Sequence, residues 1–368
     1  MNGDLDIIKQ ELQGKIESVA RALLPDGQRE SGQWVSWNPV ENDKGKTPAL
    51  KVRLTGGVAG AWKCWRCGES GDVIKLIAYV QRTDTAGALA WARDFLGIRA
   101  MSREDREKMR RAAAVEKAKR EKDDRAARKG KWEAAQRLFY DRALPCHSGS
   151  PAERHARAYF AGRAMPLEDV PNLNPDTFRF SSATEWWKGA QWKVEAGRRV
   201  KVRPGPEFPA THAAMRQWNG FVSACHVTFL DPAKPAKAPV DAPKLMLGEA
   251  LGAVIEISMG PEGVPFWQAE VPHPVIVCEG IETGGPLAIA APQARVWACG
   301  SLAGIGGAPI WLPCVSWALF ARDNNAGNAQ AQKQFDQALS RLESHGKRVV
   351  VEASHVGDDF NDLAQGEE

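Results

Sequence analysis

The sequence predicts an α+β N-terminal module, a long linking helix, and a mixed α/β body that closes in a parallel-sheet domain. Three observations carry this. Before Gly97, helical periodicity mingles with short strand-like runs. A Pro-free stretch rich in Ala, Lys, Arg and Glu then fills residues 101–142. After residue 272, apolar runs of about four residues alternate with helical stretches, the pattern of strands buried on both faces of a parallel sheet. The resulting boundaries are 1–100, 101–145, 146–270 and 271–368.

Each element follows from local pattern. Ile7, Ile8, Leu12, Ile16, Val19 and Leu23 recur at helical spacing and predict a helix over 4–24. Strands are expected at 33–37, 49–54 and 61–63, separated by turn-rich segments, with helices over 72–81 and 85–95. The basic stretch reads as one helix whose apolar tail, Trp132, Leu138 and Phe139, docks on the domain C-terminal to it. Residues 146–272 are rich in Pro, Trp and Gly, with a helix expected at 152–164 and strands at 220–230 and 253–258. The terminal domain offers strands at 275–278, 295–298, 317–321 and 349–352, and a helix over 326–345 with Phe335, Leu339 and Leu342 on one face.

Composition excludes several classes. A 43% hydrophobic share over 368 residues builds real cores, so wholesale disorder is excluded. No run of about 18 apolar residues occurs, so no membrane span is expected. The first residues lack the basic start and apolar stretch of a secretion signal, and seven cysteines form no disulfide framework; a cytoplasmic location is expected. The net charge of +4 conceals a +6 excess between Met101 and Arg142. That segment is either a solvated connecting helix or an arm along nucleic-acid phosphates.

Chemistry in an open parallel sheet gathers beyond the C-terminal ends of its strands. Three acidic groups fall there: Glu279 after the first strand, Asp323 in Arg322-Asp323-Asn324-Asn325, and Asp358-Asp359 in the last segment. Any one could cap the helix that comes after it. Three at the same sheet edge repel one another unless a cation joins them, and magnesium suits such hard oxygen donors. Gly300 to Gly307 lacks the spacing of a dinucleotide fingerprint, and no G-x-x-x-x-G-K-[ST] phosphate loop is present.

The order Glu279-Gly280-Ile281-Glu282-Thr283, then RDNNAG, then GDDFNDL resembles the Toprim domain of DnaG-type primases, topoisomerases and some nucleases. The resemblance aligns Glu279 with the family's Glu and Asp323 with the first Asp of Asp-x-Asp, while Asn325 stands where the second Asp belongs. NGFVSACHVTFLD, KLMLGEALGAVIEI and AERHARAYFAGRAMP resemble the core of Toprim primases from phages and mobile elements. The family implies nucleotidyl transfer with Mg2+ or Mn2+, with Glu279, Asp323, Asn325 and Asp359 around the metal and Glu279 and Asp323 catalytic. It also implies a basic groove for template and nucleotide, best matched by Arg163 and Lys244, with Arg216 and His226 as further candidates. Single-stranded DNA, nucleoside triphosphates and a separate replicative helicase are the implied partners. The alternative is a non-polymerising single-strand-binding protein, or a Toprim nuclease with a degenerate site.

Cys64-x-x-Cys67-Gly followed by Gly71-Asp72-Val73-Ile74 resembles the zinc ribbon of primases, which supplies two more ligands upstream as Cys-Pro-x-His. Here Asn38-Pro39-Val40-Glu41 occupies that place. Two thiolates without further Cys or His make a poor structural zinc site, so zinc is not expected. Trp34, Trp37, Trp62 and Trp65 are expected to form the core in its stead, the alternative for some of them being to stack on bases.

Overall fold

A computed structural model describes residues 2–41, 47–56, 58–98, 103–195, 198–322 and 329–354. The chain forms two compact units, Met1–Ala127 and Arg128–Glu368.

The first unit opens with α1 (Asn2–Gly14) and α2 (Ile16–Leu23). The single helix expected over 4–24 is interrupted at Lys15, where the backbone leaves helical geometry (φ −111°, ψ 23°). An antiparallel meander comes next: β1 (Gln28–Glu30), β2 (Gln33–Ser36), β3 (Leu50–Arg53), β4 (Trp62–Cys64) and β5 (Ser70–Gly71). It leads to α3 (Val73–Val80) and α4 (Thr85–Leu96). Asp72 and Asp84 cap these helices by accepting from the backbone N–H groups of Lys75 and Gly87. Gly97 closes α4 in the left-handed conformation (φ 67°), which a side chain would resist.

The core of this unit joins Ile16, Val19 and Leu23 to Leu50, Val52, Ile74 and Ile77. Trp34 and Trp62 belong to it at 2% and 4% exposure, but Trp37 and Trp65 are 37% and 51% exposed. The four-Trp core is thus corrected to two. Along β4, Trp62 and Cys64 point inward, so alternation turns Trp65 outward, where Lys63 Nζ sits 4.2 Å from its ring centroid.

Helix α5 (Arg103–Gln136) ends in a π-helical turn, Arg137–Asp141. In the second unit its last turns dock as their apolar residues predict: Phe139 is fully buried with Leu138 packed beside it, and Trp132 meets Phe221 edge-on. After β6 (Leu144–Pro145) and α6 (Pro151–Ala161) come β7 (Phe178–Glu185), the ribbon β8 (Gln191–Glu195) and β9 (Arg198–Arg203), then β10 (Glu207–Arg216), β11 (Val222–Phe229) and β12 (Lys244–Gly248). Strands β12-β11-β10-β7-β6 form one antiparallel sheet, and β8 and β9 pair only with each other. Strands β7 and β10 lie where the sequence pattern predicts loop. Pro209 breaks the pattern of β10 at a register shift between Phe208 and Ala210, and apart from Met215 the strand's buried positions are small or polar residues.

The third sheet holds β13 (Ile255–Ser258), β14 (His273–Cys278), β15 (Arg295–Ala298), β16 (Val315–Arg322) and β17 (Val349–Ala353) in the order β13-β15-β14-β16-β17. Every neighbouring pair except β13–β15 is parallel. Connections run through α7 (Ile281–Ala290), α8 (Leu302–Ile305) and α9 (Ala329–Glu343). The predicted mixed α/β class with a parallel C-terminal sheet holds. A Cβ on Gly284 would lie 2.5 Å from Ile257 Cδ1 and 2.9 Å from Cys278 Sγ, so glycine lets α7 lie directly on the sheet. This close approach fixes the helix start just beyond β14.

Candidate active site

β14 delivers its chain into Glu279-Gly280, and α7 begins at Ile281. Glu279 is half-buried; burial pushes its carboxyl pKa up, and the Lys244 charge only partly opposes this. It lines a small cavity with Leu302, Ile305, Phe320 and Arg322. Arg322 is the last described residue of β16, directly before Asp323. Asp323, Asn325 and Asp359 lie outside the described residues.

Glu282, in the first turn of α7, is 5% exposed and is the best-connected acid of the site. The Tyr159 hydroxyl donates to its Oε1 at 2.6 Å, Lys244 Nζ donates to its Oε2 at 2.5 Å, and Lys237 Nζ stands 3.4 Å away. Burial alone would raise its pKa, but the two lysines and the Tyr159 hydrogen bond overcome this and hold it at about 2. Burial and the Glu282 charge drive the Tyr159 hydroxyl well above its ordinary range, so it stays a neutral donor.

The basic side arrives on three elements. Lys244 begins β12 and pairs with Thr228 on β11, two residues from His226, so alternation puts His226 on the Lys244 face. His226 is buried, its Nδ1 has no hydrogen-bond partner among the described residues, and burial with Lys244 lowers its pKa to about 4. Lys237 comes from the loop between β11 and β12, bridged to Leu230; burial and the nearby Lys244 and Arg163 charges lower its pKa against the pull of Glu282. Arg163 lies one turn beyond Tyr159, just past the end of α6, and acts electrostatically on both Tyr159 and Lys237. The structure therefore brings together Glu279, Lys244, Arg163 and His226 from the sequence candidates and adds Glu282, Lys237 and Tyr159. Glu282 belongs to the motif that singled out Glu279, yet only its partners reveal its role.

Arg216 is not among them. It is 7% exposed, donates to the carbonyls of Gly220 and Asp176 at 3.0 and 3.1 Å, and covers the Trp267 ring at 5.0 Å. It ends β10 roughly 17 Å along the strand from Thr211, whose neighbour on β11, Thr228, pairs with Lys244. Its position at the far sheet end sets it apart from that cluster.

Two further clusters offer metal-ligand chemistry. Around the knuckle, Asn38 Nδ2 donates to the Tyr79 hydroxyl at 2.8 Å and lies 3.6 Å from the sulfurs of both Cys64 and Cys67. Asn38 thus stands against the two thiols with a neutral amide, and burial raises the Cys67 pKa, disfavouring the thiolate that zinc requires. Cys146, His147 and Glu153 offer three ligand atoms within 4.8 Å of one another. Arg157 already fills that space: its guanidinium lies 2.9 Å from Glu153 and 3.5 Å from both Cys146 Sγ and His147 Nδ1. A second cation there would face this positive charge.

Comparison with known families now decides the terminal sheet. The Toprim domain family matches residues 274–367. This region is a Toprim domain. A domain of unknown function (DUF7146) matches residues 129–257, from the start of the second unit nearly to the end of β13. No curated protein sequence matches the chain. Among solved structures, the Aquifex aeolicus primase zinc-binding and RNA polymerase domains are 12% identical with a TM-score of 0.39, covering 98% of this chain and 82% of that one. A Pseudomonas aeruginosa DNA primase domain is 15% identical with a TM-score of 0.41, covering 64% and 75%. The bacteriophage T7 primase fragment is 13% identical with a TM-score of 0.30, covering 48% and 63%. In the Toprim domain, Glu279 stands at the C-terminal end of β14 and Glu282 anchors the basic cluster.

Proposed function

We propose that this chain is a Toprim primase that makes short primers on single-stranded DNA from nucleoside triphosphates. The observation that carries the reading is the placement of Glu279 at a parallel-strand end beside Lys244, which Glu282 ties to a pocket of Lys237, Arg163 and His226. Three basic side chains against one fully ionised acid leave a positive field suited to a triphosphate and a template strand. Glu282 holds both lysines in place and Tyr159 orients Glu282, so the pocket is arranged before an anion enters.

Glu279, Asp323, Asn325 and Asp359 would hold Mg2+ or Mn2+. The fit rests on Glu279, a hard oxygen donor at the end of β14 whose carboxylate, costly to bury as a charge, is stabilised by a neighbouring cation. Bound divalent ions would supply charge stabilisation at the attacking hydroxyl and the leaving pyrophosphate. Lys244, Lys237 and Arg163 hold the phosphates, and Glu279 either binds the ion or, left free of it, takes a proton near the attacking oxygen, a role its raised pKa suits. A replicative helicase as a separate partner belongs to the same proposal.

A second reading, a non-polymerising single-strand-binding protein, is favoured by Asn325, which removes one carboxylate from the metal set. Labelled nucleotide, single-stranded template and Mg2+ or Mn2+, read on a gel, separate the two. Short products support the primase; binding without product under either metal supports the second reading.

A further inference from the structure

The seven cysteines of the chain are not equivalent. Cys64, Cys146, Cys225, Cys278, Cys299 and Cys314 are buried, and Cys67 alone is partly open to solvent. Trp65 and Arg66, the two residues between Cys64 and Cys67, are both exposed, so a reagent in solution can reach the tip of the knuckle. A buried cysteine behaves as a small apolar residue, whereas exchange with an outside reagent needs an accessible sulfur.

The one accessible thiol has a second thiol beside it. Cys64 ends β4, and its carbonyl accepts from the Gly68 backbone N–H at 2.9 Å, which closes the turn. Gly68 takes the left-handed conformation (φ 78°) that this reversal requires. A closed turn brings its first and fourth Cα atoms within about 7 Å, near the span that a disulfide bridges. The side chains meet as well. The two thiols lie within hydrogen-bonding reach of each other, and Asn38 Nδ2 is 3.6 Å from both sulfurs. The amide holds the sulfurs side by side, and a weak hydrogen bond leaves each of them able to form a covalent bond.

One accessible thiol with another placed to resolve it is the arrangement of a reversible dithiol. The remaining cysteines offer no competing pair at the surface, because all of them are buried. Tyr79 occupies the inner side of Cys67: its hydroxyl lies 3.7 Å from the sulfur, and its ring centroid is 4.9 Å from that of Trp62. The approach to the pair is therefore from the exposed tip.

We infer that Cys64 and Cys67 form a thiol–disulfide exchange site, at which Cys67 meets a low-molecular-weight disulfide and Cys64 resolves the product. The Cys67 sulfur gives up its proton and attacks one sulfur of the reagent R–S–S–R, whose S–S bond breaks. The departing sulfur takes up a proton and leaves as RSH. Cys64 then gives up its proton and attacks the Cys67 sulfur of the mixed disulfide, releasing a second RSH. The pair is oxidised to a disulfide, and the reagent is reduced to its thiol. The site goes beyond the primase reading, since it uses no residue of the Toprim pocket.

The test mixes the reduced full chain with an excess of oxidised glutathione under native conditions and follows it by thiol titration and mass spectrometry. The parent chain should lose about two titratable thiols, retain no adduct, and recover both thiols with dithiothreitol. Peptide mapping of the oxidised parent chain should place the new bond between Cys64 and Cys67, a result that depends on no variant folding. Cys64→Ser should stop at the first step and keep glutathione on Cys67. Cys67→Ser should react at least about tenfold more slowly, because only buried thiols remain. Glutathione that stays on Cys67 of the parent chain, a bond mapped to other cysteines, or a parent chain inert to the reagent would each overturn the site. So would a zinc ion on the pair that blocks exchange until it is chelated. Because no synthesis is read, a failed primer assay rejects the polymerase and leaves the dithiol standing.

Discussion

The knuckle of the N-terminal unit and the Toprim site of the second unit treat the same problem, polar ligands gathered in a partly buried place, in opposite ways. At the knuckle, Asn38 joins Cys64, Cys67 and Tyr79 through neutral hydrogen bonds, and no ionised group is required. At the Toprim site, Glu282 is 5% exposed and ionised, with two lysines drawn in to hold it, while Glu279 is left with little to offset its burial. Buried charge costs several kcal/mol per ion unless it is paired, whereas a satisfied neutral cluster costs little. The first region holds its polar groups without charge, whereas the second keeps a charged acid inside by surrounding it with cations and leaves Glu279 beside it only partly offset.

The largest expected effect breaks the comparison on the active side. Asp323→Ala should abolish metal-dependent product, a loss of at least about a hundredfold, while thermal unfolding stays near that of the parent chain. Retained turnover at ordinary magnesium would remove Asp323 from the site.

The knuckle can be driven the other way. Asn38→Cys combined with Glu41→His recreates the Cys-Pro-x-His pattern opposite Cys64 and Cys67. The double variant should take up about one zinc per chain and unfold at a higher temperature with zinc, whereas the parent chain should hold well below one equivalent by elemental analysis. A full equivalent in the parent chain, lost on Cys64→Ser, would show that the thiols already share an ion.

Glu282→Gln tests the buried charge. It leaves Lys244 and Lys237 without their counter-charge and should destabilise by about 2–4 kcal/mol at neutral pH. The pH dependence has a definite sign. The folded pKa of Glu282, about 2, lies below the ordinary carboxylate value of 4.5, so its contribution is present above that value and is lost as pH falls towards 2. Denaturant midpoints followed through this window should converge for parent and variant. Glu279 acts oppositely, because its raised pKa makes folding bind a proton; Glu279→Gln should stabilise slightly at neutral pH while removing activity.

The smallest effect concerns Asn325. An amide offers one carbonyl oxygen and no charge, so Asn325→Asp should move half-activation to several-fold lower magnesium, and manganese should serve the parent chain better. A variant whose magnesium curve coincides with that of the parent places Asn325 outside the metal set.

The features legible in the chain before folding are local: helical and strand periodicity, the caps Asp72 and Asp84, the acid just beyond β14, and the missing pair of ligands upstream of Cys64. They depend on spacing within a few residues, where period and chemistry coincide. Which tryptophans would be buried was not legible, because Trp37 and Trp65 differ from Trp34 and Trp62 only in where the strands end and which way each faces. Nor could Arg216 be separated from Arg163 and Lys244, since all three are single basic residues and only the sheet puts Arg216 at its far end. The pairing of Tyr159 with Glu282 spans 123 residues, and that of Lys244 with Glu282 spans 38. Local pattern carries no information across such distances. The close packing of α7 against the sheet, together with the pairing of β12 with β11, decides those contacts, and with them which carboxylate stays charged inside the protein.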